Sequence, residues 1–78
     1  MDKEIIIYSK DRCQSCRLTK IYLENEGIPY SEINVTHSKE ALKKVKADGF
    51  STMPVVYSNV REAFSGFDTN ELDELIKA

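Results

Sequence analysis

The pattern of apolar and polar residues predicts four short strands. Residues 4–8 (EIIIY) form a β-branched run, which is typical of a strand buried on both faces. Residues 30–35 (YSEINV) alternate between two faces, with Glu32 and Asn34 on one and Ile33 and Val35 on the other, and this predicts a second strand. Residues 54–58 (PVVYS) predict a third strand that begins at a proline. A tight turn then leads into a fourth strand over residues 60–65, so the last two strands form a hairpin.

Three other segments carry apolar residues at helical spacing. The first helix is expected to begin at Cys13 and to end at Gly27, with a proline two residues later. The second helix is expected to end at Asp48, which is followed by a glycine. The third follows Asp68, which has Glu71 three positions further on in the pattern of a capping box.

The predicted order is strand, helix, strand, helix, strand, strand, helix, which is an α/β arrangement. A strand-helix-strand unit crosses over in the right-handed sense and pairs its two strands in parallel. The two late strands are joined by a tight turn and must be antiparallel to each other. We therefore predict a four-stranded mixed sheet with helices on both faces.

Composition limits the class of protein. The 78 residues suffice for one domain, 1–78, and 41% apolar with 31% charged residues is the composition of an ordinary soluble globular protein. The formal net charge of −2 predicts no nucleic-acid partner, because such proteins usually carry a basic surface. The longest aliphatic run is far shorter than the roughly 20 residues of a membrane span, and the N-terminus does not resemble a signal peptide. We expect a monomer in the reducing cytoplasm, with no membrane partner.

Cys13 and Cys16 are the two cysteines of the chain. Two cysteines are too few for the disulfide scaffold of a secreted protein. They fall at the start of the first helix, where unpaired N–H groups and the helix dipole stabilise a thiolate. Residues 10–20 carry four basic residues and one acidic residue, a net charge of +3, which either tunes the thiol or attracts acidic partners. We hypothesise that Cys13 is the nucleophile and that Cys16, one turn further in and partly buried, is the resolving thiol.

Such a pair can reduce a target disulfide in two steps. Cys13 attacks the target and forms a mixed disulfide, and Cys16 then attacks Cys13 and leaves a redox-active disulfide for a reductase to reopen. A CxxC near a strand-helix-strand pattern is a thioredoxin-like signal.

Two alternatives stay open, a zinc site and a redox-inert module for protein contacts. Zinc needs four ligands, and the chain offers only the two cysteines and His37, which we expect to be a solvated polar residue.

Three segments of the chain resemble glutaredoxins. Residues 7–16 (IYSKDRCQSC) resemble the active-site loop, in which Tyr-Thr/Ser-Lys/Arg precedes the CxxC by the same spacing. Residues 48–56 (DGFSTMPVV) resemble the segment that ends in an X-Pro-Val turn. Residues 63–72 (AFSGFDTNEL) resemble the Trp-Ser-Gly-Phe stretch of NrdH-redoxins, which are glutaredoxin-like donors to class Ib ribonucleotide reductase. The resemblance covers nearly the whole chain and implies the thioredoxin/glutaredoxin fold, βαβαββα.

The resemblance also implies the residues of the site. Pro54 is expected to be cis and to direct the backbone of Met53 at Cys13, with the Met53 N–H and C=O free to pair with an extended substrate. In glutaredoxins, a lysine matching Lys10 and a Gly-Gly-X-Asp stretch hold glutathione, so Lys10 and Asp68 are candidate glutathione contacts. The residues expected to contact a substrate or partner are Lys10, Gln14, Ser15, Met53, Pro54, Ser65, Gly66 and Phe67. We expect no metal site.

The chain departs from both groups of relatives. The Gln14-Ser15 interior of the CxxC lacks the Pro and aromatic residue common in glutathione-using members. Phe64 stands where NrdH-redoxins usually have a tryptophan, and it either packs against a helix or has a role at the site. After Phe67, this chain has Asp68-Thr69 where NrdH-redoxins usually have one residue followed by a proline. The resemblance implies a dithiol electron carrier that binds no cofactor and donates electrons to the large subunit of class Ib ribonucleotide reductase. Thioredoxin reductase, with its own FAD and NADPH, is the expected reductant, and a glutathione-dependent glutaredoxin is the alternative.

Overall fold

The computed structural model describes residues 3–78, and its elements follow the predicted order. The strands are β1 (Ile5–Ser9), β2 (Ser31–Asn34), β3 (Val55–Ser58) and β4 (Phe64–Ser65). The helices are α1 (Gln14–Asn25), α2 (Lys39–Ala47) and α3 (Thr69–Lys77), and a short 3-10 helix (Val35–His37) precedes α2. The predicted βαβαββα arrangement is therefore confirmed.

The strands form one mixed sheet in the order β2-β1-β3-β4. β1 is parallel to β2 because α1 crosses over the sheet between them. β1 is antiparallel to β3, and β3 is antiparallel to β4. Both predicted pairings, the parallel first pair and the antiparallel hairpin, are confirmed. Because Tyr8 lies opposite Val55, the loop that follows β1 meets the loop that precedes β3 at one end of the sheet.

Two apolar clusters cover the two faces of this sheet. On one face, Ile7 of β1 belongs to a cluster with Leu23 of α1 and Leu72 of α3. On the other face, Val55 of β3 belongs to a cluster with Val45 of α2. All five side chains are fully buried, and each contributes roughly 1.5–3 kcal/mol relative to an exposed position. The prediction of helices on both faces is confirmed, and it fixes the start of α1 against the sheet.

The prediction that β1 is buried on both faces is wrong at one position. Ile6 is 37% exposed, whereas Ile5 and Ile7 are buried on the opposite face. Ile6 shares its face with Tyr8, which packs in the α2 cluster. Ile6 itself belongs to neither apolar cluster, so its end of that face stays open.

The predicted fourth strand over residues 60–65 is shorter than expected. Only Phe64 and Ser65 pair with β3. The Ser58 hydroxyl accepts hydrogen bonds from the Val60 and Arg61 N–H groups at 3.4 and 3.1 Å, which holds the preceding residues in a turn. A side chain that bonds nearby main-chain groups offers them an alternative to the ladder, and this shortens the strand.

The three helices are short and begin at residues that accept a main-chain N–H. Their N-caps are Cys13, Ser38 and Asp68. Asp68 accepts from the Glu71 N–H at 3.1 Å, as predicted, while the Glu71 carboxylate accepts from Arg61 at 3.2 Å. In the part of the chain that the structure describes, no helix combines the length and the apolar content that a membrane crossing requires.

Candidate active site

Cys13 and Cys16 form a disulfide at the N-terminus of α1, at the end of the sheet where the two loops meet. Cys13 is the N-cap of the helix, with extended backbone, and its sulfur accepts the Cys16 N–H at 3.2 Å. The Cα atoms of the pair are 5.2 Å apart, so the ring closes within one helical turn. The helix N-terminus therefore places a main-chain donor directly on the Cys13 sulfur.

The two cysteines differ in exposure. Cys16 is 2% exposed and packs in the α2-side cluster, deeper than the partial burial that the sequence suggested. Cys13 is half-buried at the rim of the same cluster. An incoming disulfide can reach the sulfur of Cys13 from solvent, whereas Cys16 is covered by the core.

Met53 and Pro54 face the disulfide from the loop before β3. The Met53–Pro54 peptide bond is cis, as the resemblance implied, and both residues are buried. The Met53 carbonyl oxygen lies 3.7 Å from the Cys13 sulfur and accepts a hydrogen bond from the Ser15 hydroxyl at 3.2 Å. Ser15 thus reaches this carbonyl from the first turn of α1 and uses one of its two lone pairs, so the other lone pair can still accept a substrate N–H.

An open groove of about 600 Å³ lies on the Met53 side of Cys13. Its apolar lining comes from Met53, Leu18 and Phe67, and we call it the apolar groove. Phe67 is 37% exposed and packs edge-on against the Tyr22 ring at a centroid distance of 6.1 Å. Leu18 is a lining residue that was not among the predicted site residues; it lies one turn beyond Ser15, and this spacing is the signal that places it at the site.

A second open groove, of about 500 Å³, lies on the other side of Cys13, and we call it the cationic groove. Its basic lining residues are Lys10, Arg12, Arg17 and Lys20. Lys20 is paired with Glu32 at 3.0 Å, whereas no ion pair within residues 3–78 involves the other three. Three positive side chains thus remain available beside the disulfide.

Glu32 of β2 is a site residue that the sequence reasoning missed. Its carboxylate accepts from the Ser9 hydroxyl at 2.6 Å and from Lys20 at 3.0 Å. These two contacts, that of Ser9 foremost, lower the pKa of the Glu32 carboxyl below its ordinary value. The only signal in the sequence was its place in an alternating strand, which does not reveal a partner 23 residues away.

The loop before Cys13 is held by the last residue of β2 and by the segment that follows it. The Asp11 N–H donates to the Thr36 hydroxyl at 3.0 Å, and the Asp11 carboxylate accepts from the Asn34 amide at 2.9 Å. His37 lies 3.1 Å from the same carboxylate. The His37 side chain is 69% exposed, in agreement with the expectation of a solvated polar residue, and it contacts Asp11 in the loop in which Arg12 adopts a φ of 56°.

The predicted partner residues fall into two places. Cys13, Lys10, Gln14, Ser15, Met53 and Phe67 line the apolar groove together. Gly66 joins them through its N–H, which donates to the Pro54 carbonyl at 2.9 Å, and Ser65 lies in β4 opposite Val55. Asp68 lies apart, since it caps α3 and lines a different groove with Arg61 and Glu71. Phe64 packs in the cluster with Leu72 and Leu75, which resolves its role in favour of helix packing.

Nothing in the described residues suggests a bound metal. Residues 3–78 contain no group of three or more His, Cys, Asp or Glu side chains placed to hold an ion. The zinc alternative would need ligands from a second chain.

A half-exposed sulfur at a helix N-terminus, bonded to a buried sulfur and faced by a cis-proline loop, is built for thiol-disulfide exchange. Together with the mixed four-stranded sheet, it defines a thiol-disulfide oxidoreductase with the thioredoxin/glutaredoxin fold. The chain belongs to the glutaredoxin family, whose family model, described as Glutaredoxin, matches residues 5–62.

Proteins called glutaredoxin-like protein NrdH are homologues of this chain. The one from Lactococcus lactis subsp. cremoris is 37% identical over 91% of this chain and 97% of its own length. The one from Escherichia coli K12 is 35% identical over 91% of this chain and 86% of its own length. A solved structure of the E. coli NrdH-redoxin, described as glutaredoxin-like with a thioredoxin-like activity profile, matches with a TM-score of 0.87, covering 92% of this chain and 93% of that chain. The predicted resemblance and fold are confirmed.

Proposed function

We propose that this oxidoreductase carries electrons from thioredoxin reductase, and ultimately from NADPH, to a disulfide on the large subunit of class Ib ribonucleotide reductase. The observation that supports this most is the likeness to the E. coli NrdH-redoxin, which is described by a thioredoxin-like activity profile. The FAD and NADPH belong to the reductase. We place the carrier in the cytoplasm, because thiols are kept reduced there. We also propose that it is a monomer.

In the proposed reaction, Cys13 is the nucleophile. Its thiolate attacks one sulfur of the target disulfide, so the other target sulfur leaves as a thiolate and a mixed disulfide forms. Cys16 then loses its proton and attacks the Cys13 sulfur, which expels the second target thiolate and closes the Cys13–Cys16 bond. The target gains two electrons and the pair loses two. Burial of Cys16 and exposure of Cys13 support this division of roles.

The substrate main chain is proposed to run along the Met53 backbone, as an added strand. Gln14 and Ser15 border the sulfur on one side, and Gly66 and Phe67 border the loop on the other. Ser65 and Pro54 hold the loop that contains Met53 in place next to Cys13. An exposed aromatic ring such as Phe67 is the type of residue that anchors a protein partner.

The alternative reductant is glutathione. Lys10 lines both grooves at Cys13 and is able to meet a carboxylate of that tripeptide. Asp68, the second candidate contact, is committed to the cap of α3 and lies with Arg61 in a separate groove. This placement supports a protein reductase over glutathione.

The test is a comparison of reductants. The protein is mixed with insulin and NADPH, together with either thioredoxin reductase or glutathione and glutathione reductase, and NADPH consumption is recorded. We expect rapid consumption with thioredoxin reductase. Consumption that requires glutathione contradicts the proposal and favours a glutaredoxin. The intact mass, measured before and after mild oxidation, separates these two oxidoreductases from a zinc-bridged module. Two thiols that pair lose two hydrogens, whereas thiols held by a metal do not.

A further inference from the structure

The Ser15 hydroxyl lies between two acceptors at the reaction centre. It is 3.2 Å from the Met53 carbonyl oxygen and 3.5 Å from the Cys13 sulfur. A hydroxyl group has a single proton to donate, so it serves one of these acceptors at a time. Which acceptor it serves depends on the charge of the Cys13 sulfur.

In the disulfide form, the carbonyl is the better acceptor. A disulfide sulfur is neutral and accepts only weakly, and Cys13 has no proton of its own to donate. The Ser15 hydroxyl therefore bonds to the Met53 carbonyl, and this carbonyl already accepts one hydrogen bond when the protein is oxidised.

Reduction of the pair by two electrons changes the order of the two acceptors. When Cys13 becomes a thiolate, its sulfur carries a full negative charge, and hydrogen bonds to charged acceptors are about twice as strong as neutral ones. The Cys16 N–H already points at this sulfur at 3.2 Å, and Ser15 is the nearby side-chain donor.

We infer that Ser15 acts as a redox-linked switch: its hydroxyl leaves the Met53 carbonyl for the Cys13 thiolate, so that a substrate main chain meets that carbonyl without a competing donor in the attacking form. The switch reverses when Cys13 returns to a neutral disulfide, and the hydroxyl then competes with the product for the carbonyl. Binding of the target is in this way coupled to the presence of the nucleophile, and release of the product to its loss.

The first test observes the carbonyl itself. The chain contains two methionines, so protein grown with methionine labelled with ¹³C at the carbonyl gives two signals, of which one belongs to Met53. We expect the Met53 signal to shift between the disulfide form and the fully ionised dithiol form of the native protein. In Ser15→Ala this shift should be smaller, because only the thiolate charge 3.7 Å from the carbonyl then acts on it and no hydroxyl leaves it, and in Ser15→Thr the full shift should be retained.

The second test measures the thiolate. One net hydrogen bond contributes about 1 kcal/mol, so removing the Ser15 donor should lower the thiolate fraction of Cys13 about fivefold at a pH below its ionisation midpoint. The ultraviolet absorbance of the thiolate reports this fraction. The charged groups that line the two grooves at Cys13 are unchanged in every variant; they are Lys10, Asp11, Arg12, Arg17, Lys20 and Glu32. Ser31→Ala, which removes an exposed hydroxyl at the start of β2, is the matched control and should behave as the native protein.

Both measurements use dithiothreitol as the only reductant, so they do not depend on the proposed reductase. Alanine is favourable in the first turn of a helix, so Ser15→Ala should fold, and Ser15→Thr keeps the hydroxyl as a second variant. A Met53 signal that is identical in the disulfide and thiolate forms of the native protein overturns the switch. So does an unchanged shift and thiolate fraction in Ser15→Ala.

Discussion

The apolar and cationic grooves flank the same sulfur but are built in different ways. The apolar groove joins three separate parts of the chain, because Leu18 comes from α1, Met53 from the loop before β3 and Phe67 from the loop before α3. The basic residues of the cationic groove come from one continuous segment, residues 10–20. The first depends on the fold for its shape, and the second depends mainly on local charge. We therefore expect a partner to be selected by apolar contact on one side and attracted by charge on the other.

The largest effect is expected at the sulfur between the grooves. Cys13→Ser should reduce insulin at the background rate, since both grooves remain but the nucleophile is lost. Cys16→Ser should keep the attack and accumulate a mixed disulfide on Cys13, which peptide mass mapping identifies. The assigned roles are contradicted if the Cys13→Ser variant accumulates a mixed disulfide on Cys16 while the Cys16→Ser variant forms no adduct.

Removing the ring of Phe67 should damage the apolar groove most. Phe67→Ala should lower kcat/KM with a protein disulfide on the order of tenfold, because an exposed aromatic anchor contributes more than 1 kcal/mol to many interfaces. The loss should be the same at low and high salt. Phe67→Leu, which keeps an apolar side chain, is the control, and thermal unfolding checks that loss of the Tyr22 contact has not unfolded α3. Equal activity in Phe67→Ala and the native protein contradicts a partner role for this ring.

Neutralising the cationic groove should have a smaller, salt-dependent effect. Arg17→Gln should lower kcat/KM with an acidic protein substrate about threefold at low ionic strength, and the difference should vanish at high salt because the charges are then screened. Lys43→Gln removes an exposed charge from α2 and serves as the control. If the rate loss in Arg17→Gln persists at high salt, the charge tunes the thiol instead of steering partners.

The smallest effect concerns Glu32, which pairs Lys20 and so limits the charge of the cationic groove. Because its pKa is lowered on folding, ionised Glu32 stabilises the native state fully above the ordinary value of 4.5, and this contribution is lost as the pH falls through the lower folded value. Glu32→Gln should therefore lower Tm slightly at pH 7 and cease to differ from the native protein in strong acid. A difference that grows on acidification contradicts the assignment.

Local chemistry explains why much of the fold could be predicted. The alternation of strand and helix periods, the Asp68 cap and the two cysteines one turn apart each depend on residues close together in the chain. One error occurred where distant parts of the molecule decide the outcome, since Ile6 lies outside both apolar clusters. The other error has a local cause that the apolar pattern does not display, because Ser58 holds the turn before the fourth strand.

The sequence by itself determined the order of the elements and a Cys13–Cys16 ring at a helix start, because these follow from neighbours within a few residues. The tertiary structure alone decided the surroundings of that ring. Ser15 meets the Met53 carbonyl across 38 residues, and Asp11 meets Thr36 across 25. The first contact exists only after β1 and β3 pair, and the second only after β1 and β2 pair. No periodicity along the chain records which atoms then face each other.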